Sequence, residues 1–273
     1  MTPQQPELRI GPLEAEALRK LLEQRTGIAY QAEKHALLAT RLLGRLRARG
    51  VSDFASYLSV LRRPEEQPEV EKVIDALTTH ETSFWREPAH FDFITRYVTA
   101  MRPRPAVLRA WSAAASSGEE AFTLAMVLAA LMPLTSFEVL GTDVASGIIE
   151  KAKTGLFPLA RSTTIPELML KRFCLRGQGR WEGQFLVAKE LRNRVTFEVA
   201  NLMVPQSDAG PFDLVLVRNV LIYFDAVRQE RVIRNLVDRL KPGGLLIVGH
   251  SESAPRLPNL RQLQPSIYRR EDP

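Results

Sequence analysis

Apolar residues recur at three- and four-residue intervals from Leu8 to His80, in four runs separated by short breaks. LEAEALRKLLEQRTGI, AEKHALLATRLLGRLRARG, DFASYLSVLRR and PEVEKVIDALTT each read as an amphipathic helix. Gly27 and Gly50 stand where helices should end, and Ser52 and Asp53 offer an N-cap for the third run. In the second run Arg41, Arg45 and Arg49 recur at i, i+4 and i+8 beside Leu42, Leu43 and Leu46. One face can therefore pack while another presents guanidinium groups.

Past the proline-rich break at Met101–Pro105 the period changes. VLRAW (107–111), FEVLGTD (137–143), RVTFEVAN (194–201), FDLVLVRN (212–219) and GLLIVGH (244–250) read as strands. Helices are predicted from near Glu119, over ASGIIEKAKTG to a stop at Gly155, and over AVRQERVIRNLVDRLKPGG. Strands alternating with helices predict an α/β fold with a doubly wound parallel sheet. Between Leu156 and Arg192 the alternation lapses, and CLRGQGRWEG and QFLVAKE read as short antiparallel strands with glycine turns. The expected organisation is an all-α domain over residues 1–80, a connecting segment over 81–105 that contributes to the ligand site, and an α/β domain over 106–273. That last domain carries a small antiparallel β-subdomain inserted at about 157–193.

Composition narrows the class. With 273 residues, 45% of them hydrophobic and 25% charged, the chain has the profile of a globular protein and not of a disordered or fibrous one. The longest apolar stretch, AFTLAMVLAALMPL at 121–134, falls short of the roughly 20 residues of a membrane span and reads as a buried helix. MTPQQPELRI has no basic flank before an apolar core, so no secretory leader is expected. The single Cys174 excludes an intrachain disulfide framework, and these features together predict a cytoplasmic protein. His35, His80, His90 and His250 lack metal-ligand spacing, so no metal site is expected. Net charge is +6, and its distribution says more than its size. Lys34 to Arg49 holds five Lys and Arg and no acid, and Lys151 to Arg194 holds ten against Glu167, Glu182 and Glu190. Two such stretches predict an anionic macromolecular partner.

An open parallel sheet binds its ligand beyond the carboxyl ends of the strands. WSAAASSGEE (111–120) is there a strand-to-helix loop of small residues that lets a ligand approach the backbone. Asp143, ending GTD, stands where an acidic side chain accepts hydrogen bonds from ribose hydroxyls, or caps the next helix. Asn201 and the Arg218-Asn219 pair end two further strands on polar side chains. The chain lacks G-x-G-x-x-G, a phosphate-binding lysine loop and a nucleophile elbow. A nucleoside ligand without a pyrophosphate is the better match, and S-adenosyl-L-methionine fits.

In order, ALTTHETSFWREPAHF (76–91), LRAWSAAASSGEEAFTLAM (108–126), LGTDVASGIIEKAKTGLF (140–157), FDLVLVRNVLIYFD (212–225) and LKPGGLLIVGHSES (240–253) resemble the chemotaxis-receptor glutamate O-methyltransferases, the CheR family. The helical segment from about Leu8 to Leu61 is similar to that family's N-terminal domain, so the resemblance covers nearly the whole chain. RNVLIYFD and GHSES are its most specific parts. The resemblance implies a class I adenosylmethionine-dependent methyltransferase sheet preceded by an all-α domain. It also implies that Thr82 and Arg86 contact the cofactor, Arg86 facing the methionine carboxylate, and that Glu119 and Asp143 are cofactor acids. Asn201, Leu202, Arg218, Asn219 and Val220 match its later contacts, and Tyr223 would lie beside the transferred methyl group. His80, which the resemblance also places among the cofactor contacts, stands where the family commonly has Asn, Trp85 where it usually has Phe, and Ala115 where Cys is frequent.

The implied reaction gives glutamate methyl esters and S-adenosyl-L-homocysteine. A glutamate with pKa about 4.3 is already ionised at neutral pH, so positioning and desolvation are the enzyme's task and no general base is required. Tyr223 and Arg86 are the candidates for the catalytic residues. The implied partners are the cytoplasmic signalling helices of methyl-accepting receptors, for which the arginines at 41, 45 and 49 could supply a docking stripe. A receptor's C-terminal peptide is a second implied partner, added as an extra strand to the insertion, whose edge is expected near Phe185. Monomeric action without nucleic acid or membrane insertion is expected. A nucleic-acid methyltransferase and a non-catalytic adenosylmethionine-binding module remain the alternatives, the first disfavoured because no aromatic interleaves the basic residues of 34–49.

Overall fold

The computed structural model describes residues 10–29, 35–206 and 209–272. The chain divides at Thr79–His80 into two compact units, the first also taking in Ala145–Gly147. The start of the second predicted helix at 32–34, including Lys34, and the residues before Ile10 lie outside the described residues.

The first unit holds α1 (Pro12–Thr26), α2 (His35–Ala48), α3 (Phe54–Leu61) and α4 (Gln67–Leu77). Each buries one stripe: Ala15, Leu18 and Leu22; Leu38, Leu42 and Leu46; Phe54, Tyr57 and Leu61; Val70, Val73 and Leu77. Gly27 closes α1 in the left-handed region, and the Asp53 carboxylate caps α3 by accepting from the Ser56 amide. The arginine stripe is committed to this unit. Arg45 Nε and Nη2 donate to the two oxygens of Glu69 at 3.0 and 2.6 Å, and Tyr57 Oη donates to the same buried carboxylate at 2.7 Å. Arg41 donates to the Leu77 carbonyl at 2.7 Å, and Arg49 pairs with Glu66. These bonds tie α2 to α4 and to the segments flanking α4, and Arg49 remains exposed.

The second unit opens with α5 (Pro88–Ala100), inside the segment expected to be a connector. Phe91, Ile94 and Val98 of α5 are buried at helical spacing. Phe93 and Tyr97 pack from a second side and blur the stripe in the sequence. There follow β1 (Leu108–Ala113), α6 (Glu119–Leu131), β2 (Phe137–Asp143) and α7 (Ser146–Thr154). Next come β3 (Leu156–Pro158), α8 (Glu167–Phe173), β4 (Cys174–Arg176), β5 (Gln184–Val187) and α9 (Lys189–Arg192). β6 (Val195–Val199), β7 (Phe212–Val217), α10 (Ala226–Val237), β8 (Leu240–Val248), β9 (Leu260–Gln264) and β10 (Ile267–Arg270) complete it.

Seven strands form one sheet in the order β6-β2-β1-β7-β8-β10-β9, parallel except for β10, which is antiparallel to both of its neighbours. The order reverses between β1 and β7, which places the topological switch point at their carboxyl ends. α6 is buried along most of its length, as expected of a helix apolar on all sides. Two readings change at the C-terminal side. The helix from 226 stops at Val237, and Leu240–Gly244 belongs to β8, with Gly243 at φ 78°. The β9–β10 hairpin was invisible in the pattern because β9 is largely exposed and shows no alternation.

The insertion is a three-stranded antiparallel sheet in the order β3-β5-β4. Phe185 lies on β5 and pairs with Phe157 and Arg176 on either side. The edge expected near Phe185 is therefore corrected: β5 is central, and the free edges belong to β3 and β4.

Candidate functional site

The strand ends that face the switch point carry two differently built clusters. In the first, the β1–α6 loop turns sharply, with Ala114, Ser116 and Gly118 all at positive φ (69°, 50° and 97°). Ala115 N–H donates to the Thr142 carbonyl at 2.8 Å, and Ser116 N–H donates to Asp143 Oδ2 at 3.0 Å, fastening the loop to the tip of β2. Ser116 Oγ donates to the His80 carbonyl at 3.0 Å, so His80 reaches this loop through its backbone. The Phe197 ring forms a floor that needs bare backbone above it. A Cβ on Gly141 would lie 2.6 Å from that ring and one on Gly118 2.9 Å. Ala200 N–H donates to the Asp143 carbonyl at 2.9 Å, which sets the end of β6 beside Asp143. Asn201 follows there, its Oδ1 accepting from Met203 N–H at 2.8 Å, and the Leu202 carbonyl accepts from Asn235 at 3.0 Å.

Glu119 is almost fully buried, and its carboxyl is pushed up by burial, opposed by the Ser117 hydroxyl and by Arg161 at 3.6 Å. Arg161 also donates to the Thr82 carbonyl, tying the inserted subdomain to the segment before α5. Sequence reasoning had no signal for Arg161, since nothing local marks a contact with residue 82.

The second cluster is ionic. Arg218, 1% exposed in its side chain, donates to Glu120 Oε2 at 2.9 Å, to Glu87 Oε2 at 3.0 Å and to the Arg86 carbonyl. Burial pushes the Glu120 carboxyl up. At Glu87 burial acts the same way, but hydrogen bonds from Arg218 and Asn219 outweigh it and hold that carboxyl below the usual range. Asn219, at φ 57°, donates through Nδ2 to Glu87 Oε1 at 3.2 Å. His90 is buried, 2.7 Å from Ser266 Oγ through Nε2 and edge-on to His250 at 4.5 Å. Its burial, reinforced by the Arg218 charge, brings its pKa down to about 4. Glu87, His90 and His250 place three potential ligand atoms within 4.8 Å, a proximity that chain spacing had not suggested. Arg218 already supplies positive charge at that carboxylate.

Val220 leads into the turn at Leu221–Tyr223, and Tyr223 N–H donates to the Val220 carbonyl at 3.1 Å. Tyr223 is half-buried, and its hydroxyl has no hydrogen-bond partner among the described residues. The Arg86 guanidinium donates to the Glu81 carbonyl at 3.0 Å. Hydrogen bonds thus connect His80, Ser116 and Asp143, and join Arg86, Arg218 and Asn219 through Glu87, while Arg161 links Thr82 by a hydrogen bond to Glu119 by an ion pair. Sequence reading missed Glu87, Glu120 and Glu252 as structural partners of the site, although each sits inside a motif it quoted.

The residues fit adenosylmethionine. The loop at 114–118 has no large side chain, Asp143 offers an acceptor at the tip of β2, and Asn219 Oδ1 is buried without a partner among the described residues. A nucleoside with hydroxyl and amine donors matches that combination.

A family model described as "CheR methyltransferase, SAM binding domain" matches residues 80–268, and one described as "CheR methyltransferase, all-alpha domain" matches 13–78. The chain is 40% identical over 237 residues to a chemotaxis protein methyltransferase of Salmonella typhimurium, covering 86% of this chain and 81% of that protein. It is 38% identical over 239 residues to the chemotaxis protein methyltransferase of Escherichia coli, covering 86% and 82%. Chemotaxis protein methyltransferase 2 of Pseudomonas aeruginosa is also 38% identical, over 242 residues, 86% of this chain and 85% of that protein. This chain belongs to the CheR methyltransferase family and is an adenosylmethionine-dependent methyltransferase.

Proposed function

We propose that this enzyme methylates glutamate side chains on the cytoplasmic signalling helices of chemotaxis receptors, giving methyl esters. The observation that carries the reading is Tyr223, in the turn that follows β7 and the Arg218-Asn219 pair, whose hydroxyl has no hydrogen-bond partner among the described residues. It is a donor available to an incoming carboxylate.

Bound adenosylmethionine supplies an electrophilic methyl group on a sulfonium. That methyl group would pass to the acceptor carboxylate, the sulfur keeping the electron pair of the broken bond, with S-adenosyl-L-homocysteine as the second product. The carboxylate is ionised at neutral pH, so the protein supplies alignment and exclusion of water, contributions that reach about 7–11 kcal/mol in well-oriented intramolecular cases. Asp143 and the 114–118 loop hold the nucleoside part; Thr82, Glu119, Asn201, Leu202, Asn219 and Val220 complete its surroundings. Arg86 is the charge partner of the methionine carboxylate. Tyr223 orients the acceptor.

The receptor's C-terminal peptide is proposed to add to the edge of β4, where Leu175 is 58% and nearby Trp181 45% exposed. Strand addition draws affinity from main-chain hydrogen bonds at such an edge. Among the described residues no helix is long and apolar enough to cross a membrane. The enzyme is proposed to act as a cytoplasmic monomer on receptors that are themselves anchored.

The deciding experiment follows labelled methyl from adenosylmethionine into receptor signalling domains, RNA and DNA. Label released by mild base from receptor protein alone is expected. Base-stable label, or label in nucleic acid, removes the reading, and cofactor binding without transfer leaves only a binding module.

A further inference from the structure

GHSES ends β8 and faces the turn that carries Tyr223, and its acid has no part in the chemistry derived above. Glu252 Oε2 accepts the Asn219 and Gly249 amides, both at 2.7 Å, while Oε1 accepts the Leu221 amide at 2.8 Å and the Ile222 amide at 3.4 Å. We propose that Glu252 is a positioning residue: one carboxylate gathers four backbone amides from two strand-end loops and so sets where Tyr223 stands.

Three features support this assignment. The first is the backbone it holds. Asn219 is at φ 57°, in the left-handed region, and such a conformation in a non-glycine residue persists where its surroundings enforce it. The second is the closeness of the two loops. A Cβ on Gly249 would meet Glu252 Oε2 at 2.7 Å and the Asn219 amide nitrogen at 3.0 Å, so the β8 loop can approach only as glycine. The third is chemical. Four converging N–H donors require acceptors on both arms of the side chain, which a carboxylate provides and an amide does not.

From this clasp to the backbone of Tyr223 the path is short. Tyr223 N–H bonds the Val220 carbonyl at 3.1 Å and Phe224 N–H the Leu221 carbonyl at 3.0 Å. Gln229 Nε2 donates to the carbonyls of Leu221 and Phe224, both at 3.0 Å, closing the turn from the α10 side. The Tyr223 backbone is therefore fixed by a turn whose amides end on Glu252. Asn219 has a second tether through Nδ2 to Glu87, so the cofactor side of the turn is held independently.

The inference rests on the reading of Tyr223 as the residue that orients the acceptor, and its test separates the two. Glu252→Gln, Tyr223→Phe and the double variant are compared for turnover, for adenosylmethionine affinity by calorimetry, and for amide hydrogen exchange. Hydrogen bonds to a charged group support an expected fall in kcat of about tenfold to a hundredfold for Glu252→Gln, with cofactor affinity within about threefold of wild type. Exchange should rise at Asn219, Leu221, Ile222 and Gly249, and Tyr223→Phe should cost less in the Glu252→Gln background than alone. Glu252→Asp, which keeps the charge but is one methylene shorter, should fall between the two and serves if the Gln variant does not fold. Wild-type kcat in Glu252→Gln, or fully additive losses, overturns the positioning role. A Tyr223→Phe variant as active as wild type overturns the Tyr223 reading and with it any route from Glu252 through that hydroxyl.

Discussion

The two halves of the candidate site are built from opposite materials. On the β1–β2 side the shape comes from what is missing: small residues at 113–118, bare backbone at Gly118 and Gly141 over Phe197, and amides fastened to Asp143 and the Thr142 carbonyl. On the β7–β8 side it comes from charge, with Arg218 between Glu120 and Glu87, and Glu252 gathering four amides. A nucleoside needs a surface it can lie against, which small residues provide. An acceptor that must be met in line needs donors that do not move, which ionic ties at strand ends provide.

Each half should break in its own way. The largest effect is expected from Arg218→Met. Removing one partner of a buried ion pair strands the other, at a cost of about 3–5 kcal/mol. Here two carboxylates, Glu120 and Glu87, are stranded, so chemical denaturation should show the greatest loss of any single change in the site. A midpoint close to wild type would mean that the network is dispensable. On the other side, Asp143→Ala removes the acceptor of the Ser116 amide and the proposed ribose partner, and should weaken adenosylmethionine binding by about 1.5–3 kcal/mol. Calorimetry showing unchanged affinity would displace the nucleoside from this half.

Gly141→Ala tests emptiness directly. Its Cβ would meet two atoms of the Phe197 ring at 2.6 Å, and overpacking of this kind costs about 1–3 kcal/mol. Adding Phe197→Leu should recover part of the melting temperature, and failure to do so would place the strain elsewhere.

The smallest expected effect is on pH dependence. His90 titrates near pH 4 in the fold against an ordinary value of 6.5, so between those limits the unfolded chain binds more protons. Stability from this group is fully present above about pH 6.5 and is lost as the pH falls toward 4. His90→Gln should flatten that limb of the acid-unfolding profile, and an unchanged limb would assign it to other groups, Glu87 among them.

How much was legible beforehand follows the same division. The glycine-and-alanine loop, Asp143 at a strand tip and the alternation of strands and helices are local patterns, and they survive into the structure with boundaries moved by a few residues. Arg218 and Asn219 were marked by their place after an apolar strand. Their partners were not, because Glu87 is 131 residues from Arg218 in the chain and Glu252 is 33 from Asn219. The stripe at Arg41, Arg45 and Arg49 shows the same limit within the first unit. Periodicity identified the face correctly, but helical spacing cannot distinguish a solvated arginine from one bonded to Glu69 across a helix pair. Phe185 was misplaced for a related reason: a strand's apolar pattern does not say whether it has one neighbour or two, and β5 has two.

The division of labour between the halves is tested most directly by Tyr223→Phe, measured in one preparation for adenosylmethionine affinity and for methyl transfer to receptor glutamate. Loss of turnover with wild-type affinity is the predicted result, since only the hydroxyl proposed to orient the acceptor is removed. Equal losses of affinity and rate would contradict it, and would return Tyr223 to a packing role shared by both halves.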